Sequence, residues 1–146
     1  MDRSIVFIHG AWVTPLCWEP FVAYFEKEGY RTVGPAWPGK EASVEEQRRS
    51  PSAALLGLGI REIVDHYEAI IRRMPAPPIL IGHSFGGLFV QILLDRGLGR
   101  AGVAIDSAPP KGVFAFYPTA FRSLGRVLTT WKGWQRVLRM PFDDFR

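Results

Sequence analysis

Short apolar runs and longer amphipathic stretches alternate along the first 107 residues. The short runs are rich in Ile, Val and Ala, which predicts buried strands. They lie at residues 5–9, 30–34, 79–82 and 101–106. The longer stretches repeat apolar side chains at helical spacing and lie at residues 16–28, 60–74 and 85–96. Such alternation is typical of parallel βαβ units, so we predict an α/β fold with a parallel sheet of about four strands flanked by helices.

Two segments fall outside this alternation. Residues 35–59 are rich in Pro, Gly, Ala and Ser, and we expect a long excursion with at most short helices there. Residues 113–146 are aromatic and basic, and their six basic and two acidic side chains account for the whole net charge of +4. With 47% hydrophobic and 22% charged residues, the 146-residue chain as a whole has the composition of one globular domain.

Cysteine content and hydropathy bear on the compartment. Cys17 is the single cysteine, so the chain forms no intramolecular disulfide, and a reducing environment is the simpler interpretation. The apolar run near the N-terminus is too short for a signal peptide, and no stretch approaches the length of a membrane span. We therefore predict a cytoplasmic protein.

The stretch ILIGHSFGGL at residues 79–88 carries the most specific chemical signal. It fits the G-x-S-x-G pattern, in which a serine stands on a sharp turn between a strand and a helix. Gly82 and Gly86 flank Ser84 at positions where a Cβ would crowd that turn. Because Phe85 then opens the helix, its amide can stabilise a negative charge that develops beside Ser84.

A second strand end supplies a complementary loop. FIHGAW places Gly10 directly after the first strand, where it lets the backbone turn and leaves the amide of Ala11, or less favourably of Trp12, to face the same site. The glycines around Ser84 lack the Lys-Ser/Thr pair of a phosphate loop and do not form a dinucleotide fingerprint. The combination points to nucleophilic catalysis with an oxyanion hole.

On FIHGAW and ILIGHSFGGL the chain resembles the α/β-hydrolase superfamily of esterase-like and lipase-like serine hydrolases. The resemblance implies Ser84 as nucleophile and the Ala11 and Phe85 amides as oxyanion hole, acting on small carboxylic esters or related acyl compounds. No cofactor or metal is implied. It also implies that residues 1–112 are the N-terminal part of the hydrolase core, with the 30–34 strand at one side followed by those at 5–9, 79–82 and 101–106, and that residues 113–146 begin a helical lid.

The family's catalytic triad also needs an acid and a histidine, which the resemblance places on later strands. Of the three histidines, His9 is expected to hydrogen-bond loop backbone, as its equivalent does in the family. His83 should point away from Ser84, and His66 should lie on the solvent side of its helix. Asp106 ends the fourth strand, where some members carry the acid, although capping of the next turn is the plainer role.

We therefore expect the activating histidine to lie outside this sequence, which would then be the N-terminal part of a longer hydrolase. An open fourth strand would favour association with a second copy or with a complementary fragment. The alternative is a non-catalytic binding module that retains the fold. Non-hydrolytic chemistry, such as hydroxynitrile cleavage or cofactor-free oxygenation, also fits the pattern, and a lid role is favoured over membrane or nucleic-acid binding for residues 113–146.

Aromatic and apolar side chains near the two motifs could line a substrate pocket, although each could equally belong to the core. They are Trp12, Trp37, Phe85, Leu88 and Phe89.

Overall fold

A four-stranded parallel sheet forms the centre of the molecule. The computed structural model describes residues 3–113, 129–131 and 136–138. The sheet has the order β2-β1-β3-β4, as expected from the sequence. Its strands are β1 (Ser4–Ile8), β2 (Arg31–Val33), β3 (Ile79–His83) and β4 (Ala101–Ile105).

The register brings the carboxyl ends of three strands to one edge of the sheet. Ile8 of β1 pairs with Gly82 of β3, and His83 pairs with Ile105 of β4. The residues that follow these strands therefore meet at this edge. They include the loop after β1, the turn at Ser84 and the residues after β4, which is where ligands bind in open parallel sheets.

Helices cover the two faces of the sheet. They are α1 (Glu19–Lys27), α2 (Val44–Arg49), α3 (Ile60–Ile71) and α4 (Phe85–Asp95). Side chains from alternating strand positions enter two separate cores. Phe7 of β1 packs with Trp18, near the start of α1, on one face, while Val6 packs with Tyr67 of α3 and Phe89 of α4 on the other. This alternation fixes the sheet firmly between its helices.

The predicted helix at 16–28 is divided into two parts. Pro15–Trp18 form a 3-10 helix, and α1 begins only at Glu19. Proline has no N–H, so Pro20 cannot donate to the carbonyl of Leu16 as a continuous α-helix would require. The N–H of Glu19 reaches the Leu16 carbonyl instead, which is the tighter 3-10 bond.

The excursion at 35–59 contains only short helices, as predicted. The helix α2 has a capping box, in which Ser43 and Glu46 satisfy each other's backbone N–H groups. A second 3-10 helix covers Ala53–Leu55. Between β2 and α2 the side chain of Trp37 is buried in the core, so the excursion is anchored at its start.

The last strand differs in burial from the others. The first four residues of β4 are exposed, and Val103 retains 48% of its accessible surface. Among the described residues β4 pairs only with β3, so its other edge is open. Most of residues 113–146, where the sequence predicts the start of a lid, lie outside the described residues.

Candidate active site

Ser84 stands in a strained turn between β3 and α4. Its backbone has φ +57° and ψ −121°, a conformation that residues other than glycine rarely adopt. Its N–H donates to the carbonyl of Ile105 at 3.0 Å. Its carbonyl accepts from the N–H groups of Gly87, Leu88 and Ala108 at 3.0, 3.3 and 3.0 Å. Backbone bonds from both β4 and α4 therefore hold the serine in this conformation.

The turn is closed so tightly that side chains are excluded on both sides of Ser84. A Cβ on Gly82 would lie 2.2 Å from the carbonyl oxygen of Gly86. A Cβ on Gly86 would lie 2.0 Å from the carbonyl oxygen of Ile8. Both distances are far below van der Waals contact. The glycines that the motif requires therefore allow α4 to approach the backbone of β1 and β3.

The loop after β1 lies beside the serine. A Cβ on Gly10 would be 3.2 Å from the Cβ of Ser84 and 3.3 Å from the His83 carbonyl oxygen. On the other side of Ser84, Phe85 is the first residue of α4, where N–H groups have no partner within the helix. The structure thus brings the backbone at Gly10 and the start of α4 together at Ser84.

His9 orients this loop. Its Nδ1–H donates to the Gly10 carbonyl at 2.8 Å, and its Nε2 accepts from the N–H of Trp37 at 3.2 Å. Because the C=O of Gly10 and the N–H of Ala11 belong to one trans peptide, they point in opposite directions. The Ala11 N–H is therefore directed away from the His9 ring.

The same contacts keep His9 neutral. The imidazole is fully buried and stacks on the Trp37 ring with 5.1 Å between centroids. Burial lowers its pKa to about 4, against the smaller opposing effect of the bond to Gly10. Both ring nitrogens are occupied by backbone groups, so His9 has the hydrogen bonds of a structural histidine.

The other two histidines are likewise not hydrogen-bonded to Ser84. His66 was expected on the solvent side of its helix, but it is half-buried, and its Nε2–H donates to the carbonyl of Ala36 at 3.0 Å. It thereby ties α3 to the excursion at 35–59. His83 is half-buried, with Nδ1 3.5 Å from the Cβ position of Gly10. In the described part of the chain no histidine ring is hydrogen-bonded to Ser84.

Asp106 directly follows β4 at the same edge. Its φ is +42°, and its side chain is exposed without a hydrogen bond to the described residues. The expected capping of the next turn by Asp106 is therefore not observed. Ser107 performs the local bonding instead, since its hydroxyl donates to the Ala108 carbonyl at 2.8 Å and accepts from Gln91 Nε2 at 2.8 Å.

Lys40 is a contributor to the site that the sequence did not reveal. Its Nζ donates to the carbonyls of Ala11 and Val13, and it lies 5.3 Å from the ring centroid of Trp37. Burial lowers its pKa to about 8. These partners are 27 and 29 residues away in sequence, so no local pattern indicates them.

The predicted pocket walls divide into two groups. Trp37, Leu88 and Phe89 are buried and belong to the core, while Phe85 is half-buried and Trp12 is 40% exposed. An open groove of about 340 Å³ lies elsewhere, along α1, and its lining includes Leu16 and Val22 but not Ser84.

The described residues contain neither a metal-binding cluster nor a helix that could span a membrane. None of them forms a cluster of three or more His, Cys, Asp or Glu side chains suited to a metal ion. In the same residues, no helix has both the length and the apolar character needed to cross a bilayer.

The sheet order, the glycine-closed turn at Ser84 and the loop after β1 agree with one family. A family profile described as "Alpha/beta hydrolase family" matches residues 5–145. The chain therefore belongs to the α/β-hydrolase family.

Solved structures of this fold superpose well on the chain. An extracellular α/β-hydrolase from a Paenibacillus species matches with a TM-score of 0.64 and 22% identity, over 85% of this chain and 50% of its own. The monoacylglycerol lipase of Paleococcus ferrophilus matches with a TM-score of 0.60 and 23% identity, over 86% of this chain and 48% of its own. The thioesterase domain from the curacin biosynthetic pathway matches with a TM-score of 0.63 and 21% identity, over 87% of this chain and 44% of its own.

The chain thus spans about half the length of these structures. A comparison with curated proteins finds no match.

Proposed function

We propose that the chain carries the nucleophile and oxyanion hole of a serine hydrolase that acts on small carboxylic esters or related acyl compounds. The observation that carries the proposal is the juxtaposition of Ser84, in its strained turn, with the loop after β1. A strained conformation that many backbone bonds maintain is a feature of functional sites. Two of the similar structures are named a monoacylglycerol lipase and a thioesterase, which agrees with an acyl substrate.

In the proposed reaction, Ser84 Oγ attacks the substrate carbonyl carbon and the carbonyl oxygen becomes an oxyanion. The amides of Ala11 and Phe85 donate to this oxygen. The C–O bond to the leaving alcohol then breaks, and the proton lost by Oγ passes through a base to that alcohol. Water hydrolyses the resulting acyl-serine by the same steps in reverse order. These steps require neither a metal nor an organic cofactor.

The base is the part of the machinery that the three histidines do not provide, since none is hydrogen-bonded to Ser84. We propose that it comes from a residue that this sequence does not contain, and that Asp106 is a candidate acid for orienting it. Without a base, oxyanion stabilisation and binding alone retain acceleration of about 10³–10⁴ over water. Covalent reaction at Ser84 in this chain alone is expected to be slow and to become faster at alkaline pH, where solvent hydroxide can take the proton from Oγ.

The Ser84 assignment is tested by covalent labelling with a fluorophosphonate, in which the Oγ–P bond forms and fluoride leaves. We expect the label on the peptide that contains Ser84 in the wild-type chain, and its loss in Ser84→Ala. Ser50→Ala, which removes an exposed hydroxyl that makes no side-chain hydrogen bond to the described residues, is the matched control and should label normally. Equal labelling of wild type and Ser84→Ala would disprove the assignment.

A non-catalytic binding module is the second candidate, favoured by the absence of a histidine partner for Ser84 in the described residues. A wild-type chain that stays unlabelled even at alkaline pH, where solvent hydroxide can replace the missing base, would support it. We also propose that residues 113–146 begin a lid over the site and that the protein is cytoplasmic, although one similar structure is extracellular.

A further inference from the structure

The ammonium group of Lys40 is directed into the molecule, against the loop that follows β1. Its Nζ donates to the carbonyl of Ala11 and, at 2.9 Å, to that of Val13. It also lies 5.3 Å from the ring centroid of Trp37, close enough for a cation–π interaction. No carboxylate of the described residues forms an ion pair with it. Its charge is therefore compensated by loop carbonyls and an aromatic face.

The backbone around Lys40 is itself well fixed. Its N–H donates to the Trp37 carbonyl at 2.9 Å, which closes a turn in which Gly39 has φ +82°. Its carbonyl accepts from Nε2 of Gln47 at 3.1 Å. Trp37 is buried and stacked on His9. The lysine thus extends from a turn that is anchored to the core.

Peptide geometry links these bonds to the direction of the loop amides. The carbonyl of Ala11 shares a planar trans peptide with the N–H of Trp12, so fixing one fixes the other. His9 acts in the same way on the peptide between Gly10 and Ala11. Lys40 fixes the following peptide, between Ala11 and Trp12, and also the carbonyl of Val13. The side chains of His9 and Lys40 together therefore determine the directions of the loop amides.

We propose that Lys40 is a positioning residue that locks the loop at residues 11–13 in the conformation required for an oxyanion hole. This inference rests on the proposed function of Ser84. Lys40 acts on the loop through the carbonyls of Ala11 and Val13 and does not touch the substrate. A misplaced oxyanion donor weakens stabilisation of the transition state more than it weakens initial binding.

The kinetic test compares fluorophosphonate labelling of wild type and Lys40→Met, which keeps the length of the side chain but removes its charge and donors. We expect the maximal labelling rate, kinact, to fall about tenfold to a hundredfold while the concentration for half-saturation, KI, is nearly unchanged. Lys27→Met, on the exposed last turn of α1, is the matched control and should behave as wild type. An unchanged kinact in Lys40→Met would overturn the inference.

The pH dependence gives a second readout. With the pKa of Lys40 lowered to about 8, the ammonium loses its proton between pH 7 and 9. The ratio of kinact in wild type to that in Lys40→Met should therefore decline over this range. Of the other groups near Lys40, His9 has a pKa of about 4 and stays neutral, and the exposed carboxylate of Glu41 bonds the Gly39 N–H. The thiol of Cys17 also interacts electrostatically with Lys40, so both proteins are measured in a Cys17→Ser background to remove its contribution.

A third measurement is independent of reactivity at Ser84. Backbone ¹⁵N order parameters at residues 11–13 should fall in Lys40→Met and stay high in Lys27→Met, with core residues of β1 unchanged in both. Unchanged order parameters in the loop would overturn the inference whatever the labelling shows. If wild type is not labelled but the loop loosens in Lys40→Met, the proposed function fails and the role of Lys40 in holding the loop stands.

Discussion

His9 combines complete burial with two hydrogen bonds that only the neutral Nδ1–H tautomer can make. Protonation would place a second donor, Nε2–H, against the N–H of Trp37 and put a charge in the core. This is the physical reason that its pKa is lowered to about 4 from the usual 6.5. The histidine that adjoins the loop after β1 is thereby unsuited to act as a base near neutral pH.

Folding stability should consequently depend on pH through His9. Below pH 6.5 the unfolded chain takes up a proton at this histidine while the folded chain does not, so stability is lost as pH falls towards 4. Between pH 7 and 5 we expect a loss of about 2 kcal/mol from this site. Urea denaturation of wild type and His9→Gln at both pH values measures it. An equal loss of folding stability in wild type and His9→Gln would show that His9 is not the group responsible for the pH dependence.

Among the structural elements, α4 and β1 are held together by direct contact of their backbones at Gly86. A Cβ there would meet the Ile8 carbonyl oxygen at 2.0 Å, and neither partner can rotate away. The helix that begins after Ser84 therefore packs directly on the strand that leads into the loop at Gly10.

Gly86→Ala should therefore destabilise the protein by more than about 3 kcal/mol, because the clash forces α4 away from β1. Gly57→Ala is the control, since Gly57 has φ +74° but no atom within 4 Å of a Cβ. It should cost only about 1–2 kcal/mol for the left-handed conformation. Denaturant unfolding compares the two, and similar losses would contradict a decisive role for the contact.

The elements were largely predictable from sequence, whereas several contacts of the site were not. Apolar periodicity correctly predicted four strands and the main helices, because burial of β1 and β3 leaves a local pattern. The strand order followed from the resemblance to the α/β-hydrolase superfamily and is confirmed. It missed the break at Pro20, which depends on a single absent N–H. It also missed Lys40 and misjudged His66, because their partners are brought near only by folding.

At the scale of the whole molecule, the outer edge of β4, which pairs with no strand among the described residues, is the main departure from a covered parallel sheet. Val103 is 48% exposed on this strand, and the first four residues of β4 are all exposed. Unpaired strand edges readily pair with another chain.

We therefore expect the chain to associate with a second copy or with a complementary chain. Sedimentation velocity over a range of concentrations should show species larger than the monomer, and Val103→Lys should reduce them because a charge on an edge strand opposes pairing. Leu56→Lys, at a 51% exposed residue outside the sheet, is the matched control and should leave association unchanged. A monodisperse monomer at all concentrations would contradict the expectation.

The contact between Gly86 and Ile8 has a consequence for how this protein can diverge. Main-chain atoms set the spacing between the serine turn and the neighbouring strand, so exchange of side chains around the pocket leaves that spacing unchanged. Residues beside the turn, such as the exposed Trp12, can therefore be exchanged without loss of the underlying frame. Mutational tolerance should accordingly be high at Trp12 and almost nil at Gly82 and Gly86.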